Sequence, residues 1–271
     1  MQFSIATTLD EALDALATGA CPIAGGTDLV VAARHGKAPL PDSVVAIDRL
    51  SELQTISSTA DATIIGAGVT HARLMTNDAV TGALAGLADA SALVGSPATR
   101  NLGTLGGNVM NASPAMDTGA PLVVLNASVT LRSTRGERSL PVAELWVGPG
   151  QTATRPDELC TVIVIPTPRV RSGSAYVRLE YRRAMEIAVV GAAAAITLGD
   201  DGSIEALAVA LTAVGPTILS VELAELVGHP MTPETLERVA TLASTQSTPI
   251  SDGRASDRYR RHAVGIMAKR R

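Results

Sequence analysis

The chain has 271 residues, and 22 Lys and Arg against 26 Asp and Glu leave a net charge of −4. Hydrophobic residues make up 46 % and aromatic residues only 2 %, which excludes a disordered chain, and the acidic balance excludes a general nucleic-acid binder, which needs a basic face. Two cysteines supply neither a disulfide scaffold nor the ligands of an iron–sulfur cluster.

The N-terminus has no basic start and no long apolar run, so it does not read as a signal peptide. The most apolar segment, 189–198, is far short of the ~20 residues of a membrane span. These features predict a soluble, cytoplasmic protein with no membrane span.

Thr8 and Glu11 have capping-box spacing, and Leu9, Ala12, Leu13 and Leu16 follow at helical intervals. Gly19 is the expected stop. A short strand over 22–24 leads into Gly25-Gly26-Thr27-Asp28. Residues 29–33 read as helix, 44–47 and 63–65 as strands, and Gly66-Ala67-Gly68 as a strand-end turn. Thr70 is placed to cap a helix through Met75, and 79–93 is Ala- and Leu-rich and predicts one helix. Residues 96–117 are rich in Gly, Asn, Ser, Thr and Pro. They read as a long irregular stretch of the kind that carries function. Strands are expected at 122–125, 129–132 and 159–165. A linker containing Pro166, Pro168 and Ser172-Gly173-Ser174 follows. Three strands at 175–181, 188–198 and 204–213 come next, with a turn at Asp200-Asp201-Gly202-Ser203. Helices over 233–243 and 256–269 close the chain. The last carries Arg258, Arg260, Arg261 and Lys269, with Arg254 before it and Arg270 and Arg271 after. It reads as a solvated basic face, with a docking surface for an acidic partner as the alternative.

Two Gly-rich loops carry the chemistry. Ala24-Gly25-Gly26-Thr27-Asp28-Leu29 follows a strand, and Asn101-Leu102-Gly103-Thr104-Leu105-Gly106-Gly107-Asn108 lies in the irregular stretch. Paired glycines remove the Cβ that would hold a ligand off the backbone, and successive N–H groups then cradle an anion. Either loop alone is equally well an ordinary turn. Asp28 and Asp117 sit beside the loops, where a carboxylate accepts from sugar hydroxyls or stabilises a turn. A P-loop is absent, and His71 stands where a dinucleotide fingerprint needs its third glycine. Four scattered histidines and two distant cysteines predict no metal site. No nucleophile elbow is present, so no catalytic residue is assigned.

In series, these loops resemble a known family. The carrying segments are Ala24 to Leu29, Ile65-Gly66-Ala67-Gly68, Arg100 to Asn108, Ala112-Ser113-Pro114-Ala115-Met116-Asp117 and Arg182-Arg183-Ala184-Met185-Glu186-Ile187-Ala188-Val189-Val190-Gly191. The chain resembles the FAD-binding medium subunit of the molybdenum hydroxylases, the xanthine dehydrogenase and carbon monoxide dehydrogenase group. The resemblance implies an α+β fold in two parts. A PCMH-type FAD-binding domain of two α/β subdomains spans 1–165. A carbon-monoxide-dehydrogenase-type C-terminal domain spans 166–271, with a three-stranded antiparallel sheet and helices. It implies FAD on this chain, with Ile23, Ala24, Gly25, Gly26, Thr27, Asp28 and Leu29 as the first pyrophosphate loop. Thr104, Gly106, Gly107 and Asn108 form the second. Ser113 and Asp117 would bind polar groups of FAD, and Leu159 and Cys160 a strand whose backbone lies near the flavin. A molybdenum cofactor on a large subunit and [2Fe-2S] clusters on a small subunit are the implied partners, in a dimer of heterotrimers. FAD would pass their electrons to an external acceptor. The chain departs from some relatives at Val189, where they carry Lys, and at Met116, where they carry Ser. A flavin-free scaffold subunit and a stand-alone FAD reductase on the same fold are the alternatives.

Overall fold

The computed structural model describes residues 1–270; Arg271 of the basic C-terminus lies outside them. The first unit alternates strand and helix: β1 (Gln2–Ile5), α1 (Leu9–Ala17), β2 (Cys21–Ile23), α2 (Leu29–Arg34) and β3 (Ser43–Ala46). Thr8 accepts from the Glu11 amide at 3.3 Å, and the Glu11 carboxylate reaches back to the Thr8 amide at 3.4 Å. This capping box starts α1 where the sequence places it. Leu9, Ala12, Leu13 and Leu16 are buried along one side of α1, in one core with Val45 and Ile47. The three strands form a parallel sheet in the order β1-β3-β2.

The second unit runs through β4 (Ile56–Ser58), β5 (Ala62–Gly66), α3 (His71–Leu74), α4 (Asp78–Thr81), α5 (Ala85–Leu93), α6 (Pro97–Leu102), α7 (Leu105–Asn111) and α8 (Gly119–Val124). It continues with β6 (Ser128–Ser133), β7 (Gly136–Pro141), α9 (Val142–Leu145), β8 (Trp146–Gly148), β9 (Gln151–Thr152) and β10 (Leu159–Pro166). An antiparallel sheet in the order β4-β5-β10-β6-β7 is its floor. Three expectations are corrected here. The helix expected over 79–93 is broken at Gly82 into α4 and α5. The stretch 96–117 is not irregular throughout, because Ser96 and Thr104 each cap a short helix through their hydroxyls. Residues 122–125 are not a strand: Leu122 to Val124 end α8, whose Gly119, Ala120, Pro121, Leu122 and Val124 are all buried. A short, wholly apolar run has no periodicity to separate a buried helix from a buried strand.

The third unit contains β11 (Ser172–Leu179), β12 (Val190–Leu198), β13 (Ile204–Thr212), β14 (Leu219–Val221), α10 (Pro233–Gln246) and α11 (Asp257–Ala268). The three expected strands pair antiparallel, and the three-residue β14 adds a fourth in the order β11-β12-β13-β14. Ser172-Gly173-Ser174 opens β11 rather than belonging to the linker. One face of this sheet carries Val190, Ala192, Val209 and Leu211 into a core with Val239, Val264 and Met267 of α10 and α11. Tyr176, Ala193 and Ala210 enter the core of the second unit instead. The C-terminal unit is therefore packed onto the unit that bears the second Gly-rich loop. Arg260 corrects the solvated-face reading of α11. It is 3 % exposed, and its guanidinium donates to the carbonyls of Val189 (2.6 Å) and Ala213 (3.2 Å) and to Asp252 (2.7 Å). No helix among the described residues is long and apolar enough to cross a membrane.

Candidate functional site

The two Gly-rich loops, some 80 positions apart in sequence, meet backbone to backbone. A Cβ on Gly25 would lie 1.9 Å from the Leu102 carbonyl oxygen, so only glycine lets the first loop lie on the end of α6. Gly26 turns the chain through a φ of +65°. Beyond it the loop enters α2 at Asp28.

Gly66-Ala67-Gly68 is the third member of the cluster. The Gly106 amide donates to the Ala67 carbonyl (2.9 Å), the Leu105 amide to Val69 (2.9 Å) and the His71 amide to Gly103 (3.1 Å). A Cβ on Gly106 would sit 2.7 Å from that Ala67 oxygen. The Ala67 amide in turn donates to Thr161 of β10 (2.9 Å). Leu159 and Cys160, just before Thr161, are 4 % exposed. Their side chains belong to two different cores, and burial pushes the Cys160 thiol up to about 12. What they can offer a ligand is backbone.

The loops differ in their free donors. In the second, Leu105, Gly106 and Gly107 are spent on Val69, Ala67 and the Thr104 hydroxyl, and Asn108 on the Thr104 carbonyl. In the first, no described residue accepts from the amides of Gly25, Gly26, Thr27 and Asp28. Four successive donors without a protein partner are left for a ligand, and a row of this kind can cradle an anion. In the second loop Gly107 is exposed, and a Cβ there would meet only the Thr104 hydroxyl oxygen, at 3.0 Å.

The side chains around the cradle are polar and mostly neutral. The Thr27 hydroxyl lies 3.3 Å from where a Gly103 Cβ would stand, and the His71 ring 3.4 Å from the same point. His71 is 1 % exposed and its Nδ1 has no partner among the described residues. Burial, with Arg100 nearby, pushes it down to about 4 and holds it neutral. Desolvation raises the Asp28 carboxyl above its ordinary value, although Asp28 remains open on one side. Asn108 Oδ1 accepts from the Thr118 hydroxyl at 2.6 Å, and Ser113 Oγ accepts from the Ala115 amide at 3.3 Å. Asp117 is buried, and both its oxygens take donors from β11: the Tyr176 hydroxyl at 2.8 Å and Arg178 Nη1 at 2.7 Å.

Of the residues expected from sequence, Gly25 and Thr27 meet the second loop at Leu102 and Gly103, while Gly106 packs on Ala67 and Gly107 only on Thr104. Ser113 and Asp117 lie on the segment after α7. The sequence reading missed Gly103, His71, Tyr176 and Arg178. Gly103 lay inside the motif. The other three carry no local signal, because each matters through a partner distant in sequence. Among the described residues no group of three or more His, Cys, Asp or Glu could hold a metal ion.

Comparisons with known proteins give the family. The family described as FAD binding domain in molybdopterin dehydrogenase matches residues 1–168. The CO dehydrogenase flavoprotein C-terminal domain matches 175–271. The chain is 30 % identical over 271 residues to the xanthine dehydrogenase FAD-binding subunit of Escherichia coli O157:H7, covering 98 % of this chain and 92 % of the relative. It is 32 % identical over 260 residues to the carbon monoxide dehydrogenase medium chain of Afipia carboxidovorans, covering 95 % and 89 %. The structure superposes on carbon monoxide dehydrogenase from Hydrogenophaga pseudoflava with a TM-score of 0.94 at 28 % identity, over 100 % of this chain and 95 % of the other. It superposes on quinoline 2-oxidoreductase from Pseudomonas putida 86 with a TM-score of 0.92 at 27 % identity, over 100 % and 94 %. With both of its parts matched in order, the chain belongs to the family of FAD-binding subunits of molybdopterin dehydrogenases.

Proposed function

We propose that this chain is the FAD-carrying electron-transfer subunit of a molybdenum hydroxylase, standing between iron–sulfur clusters on a partner and an external electron acceptor. The observation that carries the reading is the row of unspent amides at residues 25–28, in a first loop that lies against the second at Leu102 and Gly103. That is the chemistry of a pyrophosphate cradle.

The residues would divide the work as follows. The amides of Gly25 to Asp28 donate to the phosphate oxygens, joined by the Thr27 hydroxyl. Neither core motif contains Lys or Arg, so backbone dipoles carry most of the neutralisation. Ile23, Ala24 and Leu29 flank the cradle, and Thr104, Gly106, Gly107 and Asn108 close it. Ser113 and Asp117 shape the polar end, and Leu159 and Cys160 present backbone toward the flavin. Bound there, FAD supplies transfer of one or two electrons. The partners are a large molybdenum-cofactor subunit and a small [2Fe-2S] subunit, assembled as a dimer of heterotrimers in the cytoplasm. The domain division falls at 165/166, at the end of β10.

Native purification tests the reading. The expected result is a yellow protein with one FAD per chain, isolated together with a large and a small subunit. A colourless chain in that complex would make it a scaffold, and a yellow chain with no partners would make it a stand-alone reductase. Trp146 is the only Trp, and it donates to the Val109 carbonyl of α7 at 2.9 Å. Its emission should therefore fall when FAD is added to the apoprotein.

A further inference from the structure

Residues 114–117, which follow α7, make hydrogen bonds with the C-terminal domain as well as with Ser113. Tyr176 and Arg178 of β11 bind the two oxygens of Asp117. The Thr212 hydroxyl at the end of β13 lies 2.8 Å from the Pro114 carbonyl oxygen and 2.9 Å from that of Met116, bridging both. The next amide, Ala213, also donates to Pro114 at 2.8 Å. Beneath this cluster runs Gly191 of β12. A Cβ there would lie 2.4 Å from the Tyr176 hydroxyl and 2.4 Å from Thr212 Cγ2. The cluster therefore exists only because this strand position has no side chain.

One cation serves two carboxylates here, and its Nη2 has no partner among the described residues. The Arg178 side chain is 1 % exposed and bridges Asp117 and Glu180, each at 2.7 Å. Burial pushes the Asp117 carboxyl up to about 6, against the pull of Arg178 and the Tyr176 hydroxyl. A carboxylate so placed depends on these donors to stay ionised.

We propose that Tyr176, Arg178 and Thr212 are positioning residues for the cofactor site. They hold residues 113–117 in the binding form. This rests on the reading that the chain binds FAD. The physical reason is preorganisation. A Ser-Pro-Ala-Met segment with no regular structure samples many conformations when free, and a ligand that must order it loses affinity. Here the ordering is completed on folding, by a domain that holds neither Gly-rich loop.

The test is FAD titration of the full-length apoprotein, read by Trp146 and flavin emission, with melting temperatures alongside. Tyr176→Phe and Thr212→Val each remove one hydroxyl and should weaken FAD by about 3- to 10-fold. Arg178→Met should weaken it by more than about tenfold, and Arg178→Lys should recover most of that loss. Val239→Ala, in the α10 core of the same domain, should lower the melting temperature and leave FAD affinity unchanged. If Arg178→Met fails to fold, the two hydroxyl deletions carry the test. Wild-type affinity in both deletions would overturn the proposal, as would an equal loss in Val239→Ala, because affinity would then follow stability alone. A wild-type chain that binds no FAD would overturn the cofactor reading as well, which separates the two failures.

Discussion

Neighbouring glycines in the second loop have opposite tolerances. Gly106 faces the Ala67 backbone, and an added Cβ collides 2.7 Å from its carbonyl oxygen. Gly106→Ala should therefore destabilise the fold by about 1–3 kcal/mol, measured by urea unfolding. Gly107 faces open space apart from the Thr104 hydroxyl. Gly107→Val should keep the wild-type melting temperature within a few degrees and lose FAD content. Wild-type flavin occupancy in that variant would show that the loop is misassigned. Arg260 makes the same point for a charge. Its place in a basic C-terminal run reads as solvated, yet it joins α11 to the carbonyls of Val189 and Ala213 and to Asp252. Arg260→Met leaves those acceptors unpaired and should cost about 2–4 kcal/mol.

At the scale of elements, ion pairs with a defined acid limit fasten the ends of strands and helices. Arg138 of β7 grips Glu158, just before β10, through two contacts of 2.8 Å. The Arg138 hydrogen bonds, aided by the Arg155 amide, outweigh burial and hold the Glu158 carboxyl at about 2. In Asp252 the amides of Arg254 and Ala255 and the Arg260 guanidinium overcome desolvation and likewise hold it at about 2. Both folded-state values lie below the unfolded ones. The stabilisation is therefore complete above about pH 5 and is lost as pH falls toward 2. Denaturant unfolding from pH 6 to 2 should show this slope, and Glu158→Gln should flatten it and lower stability at pH 6. The starts of α1 and α11 were legible because capping is local: Thr8 with Glu11 and Ser256 before Asp257 are each written within four residues. Ser96 and Thr104 are equally local caps, but the Gly-, Asn- and Ser-rich composition around them hid α6 and α7. The identity of α8 was not legible, since what makes 122–124 helical is burial between a sheet and a core on both sides.

For the whole molecule, the unit bearing the second Gly-rich loop and the C-terminal domain share a core. Tyr176, Ala193 and Ala210 of the C-terminal sheet lie in the core of the loop-bearing unit. FAD binding should therefore stabilise the entire chain in one transition. At a hundredfold excess over Kd the gain is about 2.7 kcal/mol. Calorimetry with and without FAD should show a single peak that moves upward. Two separate peaks, with only one moving, would show that the domains unfold independently.

The sequence by itself determined the glycines, the cap of α1, the three long strands of the C-terminal sheet and the family, because each is encoded in neighbouring residues or in motifs that recur in order. Only the tertiary structure decided which loop keeps its donors free. The amides of residues 25–28 and 105–107 look alike in sequence. The second set is consumed by Thr104 through its local cap and by Ala67 and Val69, partners that packing alone brings within 3.0 Å. Asp117 follows the same rule: its neighbours in sequence give it no cation, and β11, some sixty residues later, supplies one.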